Sequence, residues 1–321
     1  MNTKEYRISK LLYLGPAGSF SHICALEIVN FFEQTAKDAH SSEIKPLIKL
    51  EDFQLLDFPS INSVREGIEE SSNNEKIFGL LPVENSLGGS VPETLDGLIK
   101  GSQSVEVRLE WVMHVEHCLV GFGNINDIKE IRAHYQAFAQ CDDFLKKSFS
   151  NNFEKKEMTS NSAAALSLLD MKSDNNNKQI AAICSKEAAE MYKIPIIQKG
   201  INDSQNNYTR FWLISKSPLR VEQSEKTNTL TSLAFRIPQN VPGGLMRVLD
   251  CLAKRNINLS KIESRPTKGK LCEYTFFIDF VNPANWSEIQ EEVCEEVKNI
   301  CSNFYFLGNY SVLPAGDFRF T

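Results

Sequence analysis

Short apolar runs that stop at a turn and pass straight into a helical period recur along the amino-terminal part of this chain, and no other feature narrows its fold as much. Residues 11–14 lead through Gly15 towards a helix over 25–32, residues 78–81 precede a helix from about Pro92, and 118–121 form a further apolar run. Strands alternating with helices predict an α/β fold in which helices pack on sheets. The polar stretches 71–76 and 170–179 interrupt the pattern and predict exposed loops.

Beyond residue 216 the pattern changes. A polar segment containing Pro218 separates a strand over 211–214 from one over 231–236, which predicts a boundary. On this reading residues 1–216 form one domain, 217–228 a linker and 229–321 a second domain. In the last part, Leu245, Val248, Leu249 and Leu252 fall on one helical face, as do Ile289, Val293, Val297 and Ile300. With strands over 230–237, 257–264, 274–280 and 304–310, the order is β-α-β-β-α-β, an α+β ferredoxin-like unit.

Composition excludes several function classes. The formal net charge of -6 comes without a Lys/Arg-rich run, so neither nucleic acid nor an anionic membrane is an expected partner. No signal-peptide core and no window of 18 apolar residues occurs, and a cytoplasmic location is expected. The eight cysteines include no C-x-x-C pair and are expected to be reduced core residues. The five histidines lack metal-ligand spacing, so neither metal nor cofactor is expected, and a metal-dependent hydrolase is disfavoured. His134 has no nucleophile set beside it in the sequence, so a hydrolase triad is equally weak.

Five segments carry candidate chemistry. Gly15-Pro16-Ala17-Gly18-Ser19 is a turn before a helix, where backbone N–H groups suit an anion. In Pro82-Val83-Glu84-Asn85-Ser86 a strand ends in an acid–amide pair, and Ser90 with Glu93 reads as a capping box on the next helix. Polar groups just past a strand's carboxyl end face the ligand crevice of an α/β sheet. His134 to Cys141 supplies a His and two amides, Ser160-Asn161-Ser162 caps an Ala-rich helix, and Asn207-Tyr208-Thr209-Arg210 sets a hydroxyl beside a guanidinium. Singly, each is also explained by turns, caps or a surface ion pair.

Together and in this order, the segments resemble the prephenate dehydratase family, with its G-P-x-G-T-F-S, P-V-E-N-S, H-P-Q-A-L-A-Q-C, S-T-A and N-x-T-R-F motifs, over residues 13 to 310. The resemblance implies that residues 1–216 are a catalytic domain of two lobes of the periplasmic-binding-protein type (type II) with prephenate between them, and that residues 229–321 are a regulatory ACT domain. Thr209, Glu84, Asn85 and Gln140 then stand at the catalytic positions. Thr209 is expected to donate to the departing hydroxyl, with Glu84 as the acid if burial raises its pKa. Arg210, Ser160, Ser162, Asn207 and Ser19 are implied substrate contacts.

Pro242-Gly243-Gly244-Leu245 and Glu263-Ser264-Arg265-Pro266 resemble the pair of motifs by which the family's ACT domain binds phenylalanine between two subunits. They imply an effector site of Gly243, Gly244, Leu245, Asn258, Leu259, Glu263, Ser264, Arg265 and Pro266. They also imply inhibition by phenylalanine and a homodimer or homotetramer. Departures from the family are Ser19 for Thr, Tyr135 for Pro, Asn161 for Thr and Ala133 before His134. Gly244 for Ala is expected to leave a larger effector pocket. The motifs begin near residue 13, which predicts a monofunctional chain. The competing readings are arogenate dehydratase and a non-catalytic amino-acid sensor.

Overall fold

The computed structural model describes residues 8–38, 53–72, 76–101, 104–150, 152–170, 178–219, 228–238, 241–267 and 272–314. The chain opens with β1 (Lys10–Leu14), α1 (Phe20–Asp38), β2 (Gln54–Phe58), α2 (Ile61–Glu70), β3 (Ile77–Asn85), β4 (Gly89–Ser90), α3 (Pro92–Lys100) and β5 (Glu106–His114). It crosses over into β6 (Cys118–Gly121), β7 (Glu130–Ala133), α4 (Tyr135–Gln140), α5 (Asp142–Phe149), β8 (Glu154–Glu157), α6 (Asn161–Leu169), β9 (Ile180–Cys184), α7 (Lys186–Tyr192) and β10 (Ile196–Gln198). It returns as β11 (Tyr208–Ser215). It closes with β12 (Thr229–Arg236), α8 (Gly244–Ala253), β13 (Leu259–Pro266), β14 (Tyr274–Val281), α9 (Trp286–Ile300) and β15 (Asn303–Leu313).

The α/β expectation holds, with two sheets among the described residues. One runs β10-β6-β9-β7-β8; the other runs β13-β14-β12-β15-β5-β11-β3-β1-β2, with β4 on β3. The β-α-β-β-α-β order of the carboxy-terminal part is therefore present. Its last strand, β15, pairs in parallel with β5 (Ser311 opposite Leu109, Leu313 opposite Trp111), so the carboxy-terminal strands extend the first sheet.

Helices cover both faces of each sheet, which is why the central strands read as nearly continuous apolar runs. Ile23, Ile28 and Phe32 of α1 pack with Leu11, Phe78 and Leu213 on one face of the first sheet. Val64, Ile68 and Leu95 of α2 and α3 pack with Leu81, Trp212 and Ile214 on the other. Full burial of such side chains contributes roughly 1.5–3 kcal/mol each. In the second sheet all five residues of β9 are buried.

The sheets are joined by a double crossing over 115–117 and 199–207. Val115 N donates to Asn207 O and Ile201 N to His117 O. Asn202 staples the two crossings, accepting from His117 N at 2.6 Å and donating to Val115 O at 3.0 Å.

Several expectations are corrected. Ser90 is not the cap of α3: it lies in β4, the cap position is Val91 with no side-chain bond, and Glu93 accepts from Asn62 instead. A capping box does form one helix earlier, between Ser60 and Ser63. Of the cysteines, 24, 118, 141, 184 and 251 are buried, but Cys272 is exposed in a turn with φ 63. Segments 39–52 and 220–227, the latter most of the expected linker, lie outside the described residues, as do 73–75 and 171–177 of the two expected loops. Among the described residues no helix is long and apolar enough to cross a membrane.

Candidate active site

A cleft of about 580 Å³ lies between the two sheets. Its walls are the turns that follow β1, β3, β7, β8 and β9, together with Thr209 and Phe211 of β11 and His117 of the crossing. Parallel strands present their carboxyl ends to a common crevice, so polar residues placed just after them converge there. Among the described residues, none lining this cleft is Asp, Glu, Lys or Arg. Its two histidines, His117 and His134, are both shifted below the ordinary imidazole value by burial, so they are neutral at pH 7.

The floor of the cleft is one connected set of amides whose orientation the backbone dictates. Asn85 Oδ1 accepts from Leu87 N at 3.1 Å and Gly88 N at 2.8 Å, so this atom is the oxygen. Asn85 Nδ2 then donates to Tyr208 O, to Asn207 Oδ1 at 2.8 Å and to Thr209 Oγ1 at 3.0 Å. Because Thr209 Oγ1 is the acceptor in that bond, its own proton is left for a ligand. Asn207 Nδ2 passes on to Gln140 Oε1 at 3.0 Å, and Gln140 Nε2 faces Asn85 Oδ1 at 3.3 Å. Asn85, Gln140 and Thr209 are thus brought together. Asn207 is fully buried beneath them.

Two helix amino-termini meet at this floor. Ser19 Oγ caps α1 by accepting from His22 N, and Ser160 Oγ caps α6 by accepting from Ala163 N. Each cap serves one first-turn amide; Phe20 and Ser21 in one helix, and Asn161 and Ser162 in the other, belong to the cleft wall. The lobes touch here as well. Ser162 Oγ and Tyr192 OH of the second sheet's helices both reach Ala17 O, the latter at 2.6 Å. Gly18 makes the approach possible: it has φ +76, and an added Cβ would lie 2.9 Å from Ser162 Oγ and Tyr192 OH.

Glu84 and Arg210 are not part of this floor. Strand alternation puts them on the face opposite Asn85 and Thr209. Arg210 donates to Glu84 at 2.6 Å and to Glu110 and Asp279 at 2.7 Å. Burial alone would raise the Glu84 carboxyl, but Arg210 and Lys261 outweigh it and hold the group below its ordinary value. Glu84 is thus an ionised partner of Arg210, and both terminal nitrogens of Arg210 already hold carboxylates, so this arrangement gives no support to Glu84 as a proton donor or to Arg210 as a clamp on the substrate.

The expected effector residues divide between two places. Gly243 stands at the cap position before α8 with φ 72, and a Cβ on Gly244 would overlap Ile237, so that side chain fills the space expected to be a larger pocket. Asn258 and Leu259 open β13, where Asn258 O accepts from Val281 N. On β13, Ser264 and Pro266 are exposed, whereas Glu263 and Arg265 turn towards β4 and α3. Glu263 meets Ser90 Oγ at the cleft rim, and Arg265 grips Asp96 of α3 at 2.9 and 3.3 Å.

His117 was missed in the sequence. It is a single His between two strands, with no partner at fixed spacing, and only the crossing of the chain carries it to Gln140.

The family model for prephenate dehydratase matches residues 11–219. The chain is 32% identical over 308 residues to a prephenate dehydratase of Lactococcus lactis subsp. lactis, covering 96% of this chain and 99% of that one. It is 35% identical over 251 residues to a prephenate dehydratase of Methanocaldococcus jannaschii, covering 78% of this chain and 86% of the relative. Among solved structures, the prephenate dehydratase of Arthrobacter aurescens in complex with L-Phe superposes with a TM-score of 0.71 at 28% identity, over 94% of this chain and 89% of that one.

Proposed function

This chain belongs to the prephenate dehydratase family, and from that premise we propose how its neutral cleft turns prephenate into phenylpyruvate, carbon dioxide and water. In this reaction the bond from the ring to its carboxylate breaks. The electron pair enters the ring, the ring hydroxyl departs, and one proton makes it water. Aromatisation drives the step, so the protein has to hold a dianion and stabilise a leaving oxygen.

The observation that carries the proposal is the Asn85–Thr209 bond. With its lone pair engaged by Asn85, Thr209 presents a proton to the departing oxygen, while Gln140 orients the ring from the opposite lobe. Such assistance is worth about 100-fold to 10,000-fold in rate, with orientation supplying much of the rest. The two carboxylates are met by the first-turn amides of α1 and α6, with Ser19, Ser160 and Ser162 as their caps and walls, which suits anions without any Arg in the described lining. The described lining holds no carboxylate, and Glu263 at the rim is already engaged by Ser90 and Lys261, which supports prephenate over its amino analogue arogenate.

The two lobes correspond to a periplasmic-binding-protein-like (type II) arrangement, and β12 to β15 with α8 and α9 to an ACT domain that takes phenylalanine. Residues 1–216 form the catalytic domain and 229–321 the regulatory one, paired with a second copy in a homodimer or homotetramer in the cytoplasm. Phenylalanine inhibits through its greater affinity for a less active arrangement. The test is to incubate the chain with prephenate and with arogenate, with and without phenylalanine, and follow product. Phenylpyruvate from prephenate, slowed by phenylalanine, is expected; turnover of arogenate alone would overturn the substrate assignment.

A further inference from the structure

Asn85 Oδ1 is identified as oxygen by the Leu87 and Gly88 N–H groups it accepts, and this single fact propagates through the cleft floor. Asn85 Nδ2 must be the donor to Asn207 Oδ1, so Asn207 Nδ2 is the donor to Gln140, and the Gln140 atom that receives it is Oε1. That same Oε1 lies 2.8 Å from His117 Nε2. An acceptor oxygen requires a proton on the facing nitrogen, so His117 carries its hydrogen on Nε2 and has a bare Nδ1.

His117 is 2% exposed, lines the cleft, and its ring meets the Phe20 ring edge-on at 5.5 Å. Its Nδ1 is buried without a hydrogen-bond partner among the described residues. Leaving a polar atom unsatisfied in this way costs stability that an apolar side chain of similar size would not. Its backbone N–H is held by Asn202, the staple between the two crossings, so the ring is anchored to the crossing while its Nε2 reaches α4 in the second lobe.

We propose that His117 is a positioning residue for the dehydration: in its Nε2–H form it fixes the Gln140 amide, so that Gln140 Nε2 is turned towards Asn85 and the substrate and the amide set beneath Thr209 keeps one orientation. The role rests on the prephenate dehydratase reading of the same cleft. Without the Nε2 proton Gln140 Oε1 keeps a single donor, Asn207 Nδ2, and the amide is held less firmly against the flip that would set Oε1 against Asn85 Oδ1. His117 acts through Gln140 and touches no reacting atom. Burial holds its pKa below the ordinary value, consistent with a neutral ring that serves as a fixed donor and not as an acid.

Two measurements on the full-length chain test this. Long-range ¹H–¹⁵N spectra of histidine-labelled protein should show His117 as the neutral Nε2–H tautomer; the Nδ1–H tautomer or an imidazolium at pH 7 would overturn the proposal. Steady-state turnover of prephenate is then compared for wild type, His117→Leu and His117→Gln, whose side-chain amide can replace the Nε2 donor. A misplaced orienting group costs on the order of 10- to 100-fold. His117→Leu should lose about that much in kcat with KM within about threefold, and His117→Gln should recover most of it. Wild-type turnover in His117→Leu, or no recovery in His117→Gln at an unchanged melting temperature, would overturn the role. A wild type silent on prephenate would instead sink the functional reading on which it rests.

Discussion

Arg210 on β11 and Asp279 on β14 are joined by a 2.7 Å ion pair, which ties the strand that carries Thr209 to the carboxy-terminal strands. The same guanidinium holds Glu110, whose side chain is fully buried, and Glu84. Neighbouring residues of one strand thus serve separate ends, Thr209 facing the cleft and Arg210 fastening the sheet behind it.

Removing Arg210 leaves buried carboxylates without their partner, which costs about 3–5 kcal/mol. Arg210→Met is therefore expected to lower stability by about that amount, measured by chemical denaturation. If the variant kept wild-type stability and lost only affinity for prephenate, Arg210 would be a substrate clamp after all.

Acid should destabilise the fold in two stages. Burial lowers the pKa of His22, His117 and His134 from 6.5, so below that pH the unfolded chain takes up protons that the folded chain resists. Their contribution is complete above about 6.5 and declines beneath it. Although burial opposes it, Glu84 is held below 4.5 by Arg210 and Lys261, so its contribution is present above 4.5 and lost as the pH falls through its folded value. Melting temperature should fall from about pH 6.5 and fall again below about 4.5, the second loss being smaller in Glu84→Gln. A melting temperature that rose between pH 7 and pH 5 would contradict the histidine assignment, and an undiminished second loss in Glu84→Gln would contradict that of Glu84.

Gly18→Ala places a methyl where Tyr192 and Ser162 close on Ala17, at a left-handed φ that costs an L-residue roughly 1–2 kcal/mol. Its kcat/KM for prephenate should fall more than that of Tyr192→Phe, which removes one of the two bonds to Ala17 and adds no bulk. Equal values would show that the contact between lobes at this point is incidental to turnover.

Arg265 is already engaged by Asp96, so a ligand that recruits it has to displace that carboxylate. Asp96→Asn should make phenylalanine inhibit at lower concentration, and Arg265→Ala should abolish the inhibition. An unchanged inhibition curve in both would move the effector away from β13.

The strands and helices were legible wherever apolar period and turn chemistry agreed, as at β6, whose bounds match the expected run, and at Ser160, which caps α6. Asn85 and Thr209 stand where a strand ends or opens at the crevice and Gln140 closes α4; their roles were legible only through the resemblance of the motifs taken in order. The faces were harder to read. Glu84 and Arg210 look catalytic beside Asn85 and Thr209, yet a one-residue step along a strand reverses the side chain, and only the pairing of β3 with β11 shows which member of each pair meets the cleft. Ser90 looked like a helix cap because its spacing to Glu93 is right; its partner, Glu263, lies 173 residues away, and no local pattern announces such a contact.

The central claim is that the Thr209 hydroxyl, oriented by Asn85, supports departure of the ring hydroxyl in a cleft whose described lining holds no charged side chain. The most direct measurement is kcat for prephenate in Thr209→Val and Thr209→Ser beside wild type, with melting temperatures for each. Thr209→Val should lose about 100-fold to 10,000-fold while staying folded, and Thr209→Ser should keep most of the rate. Wild-type turnover by folded Thr209→Val would contradict the account.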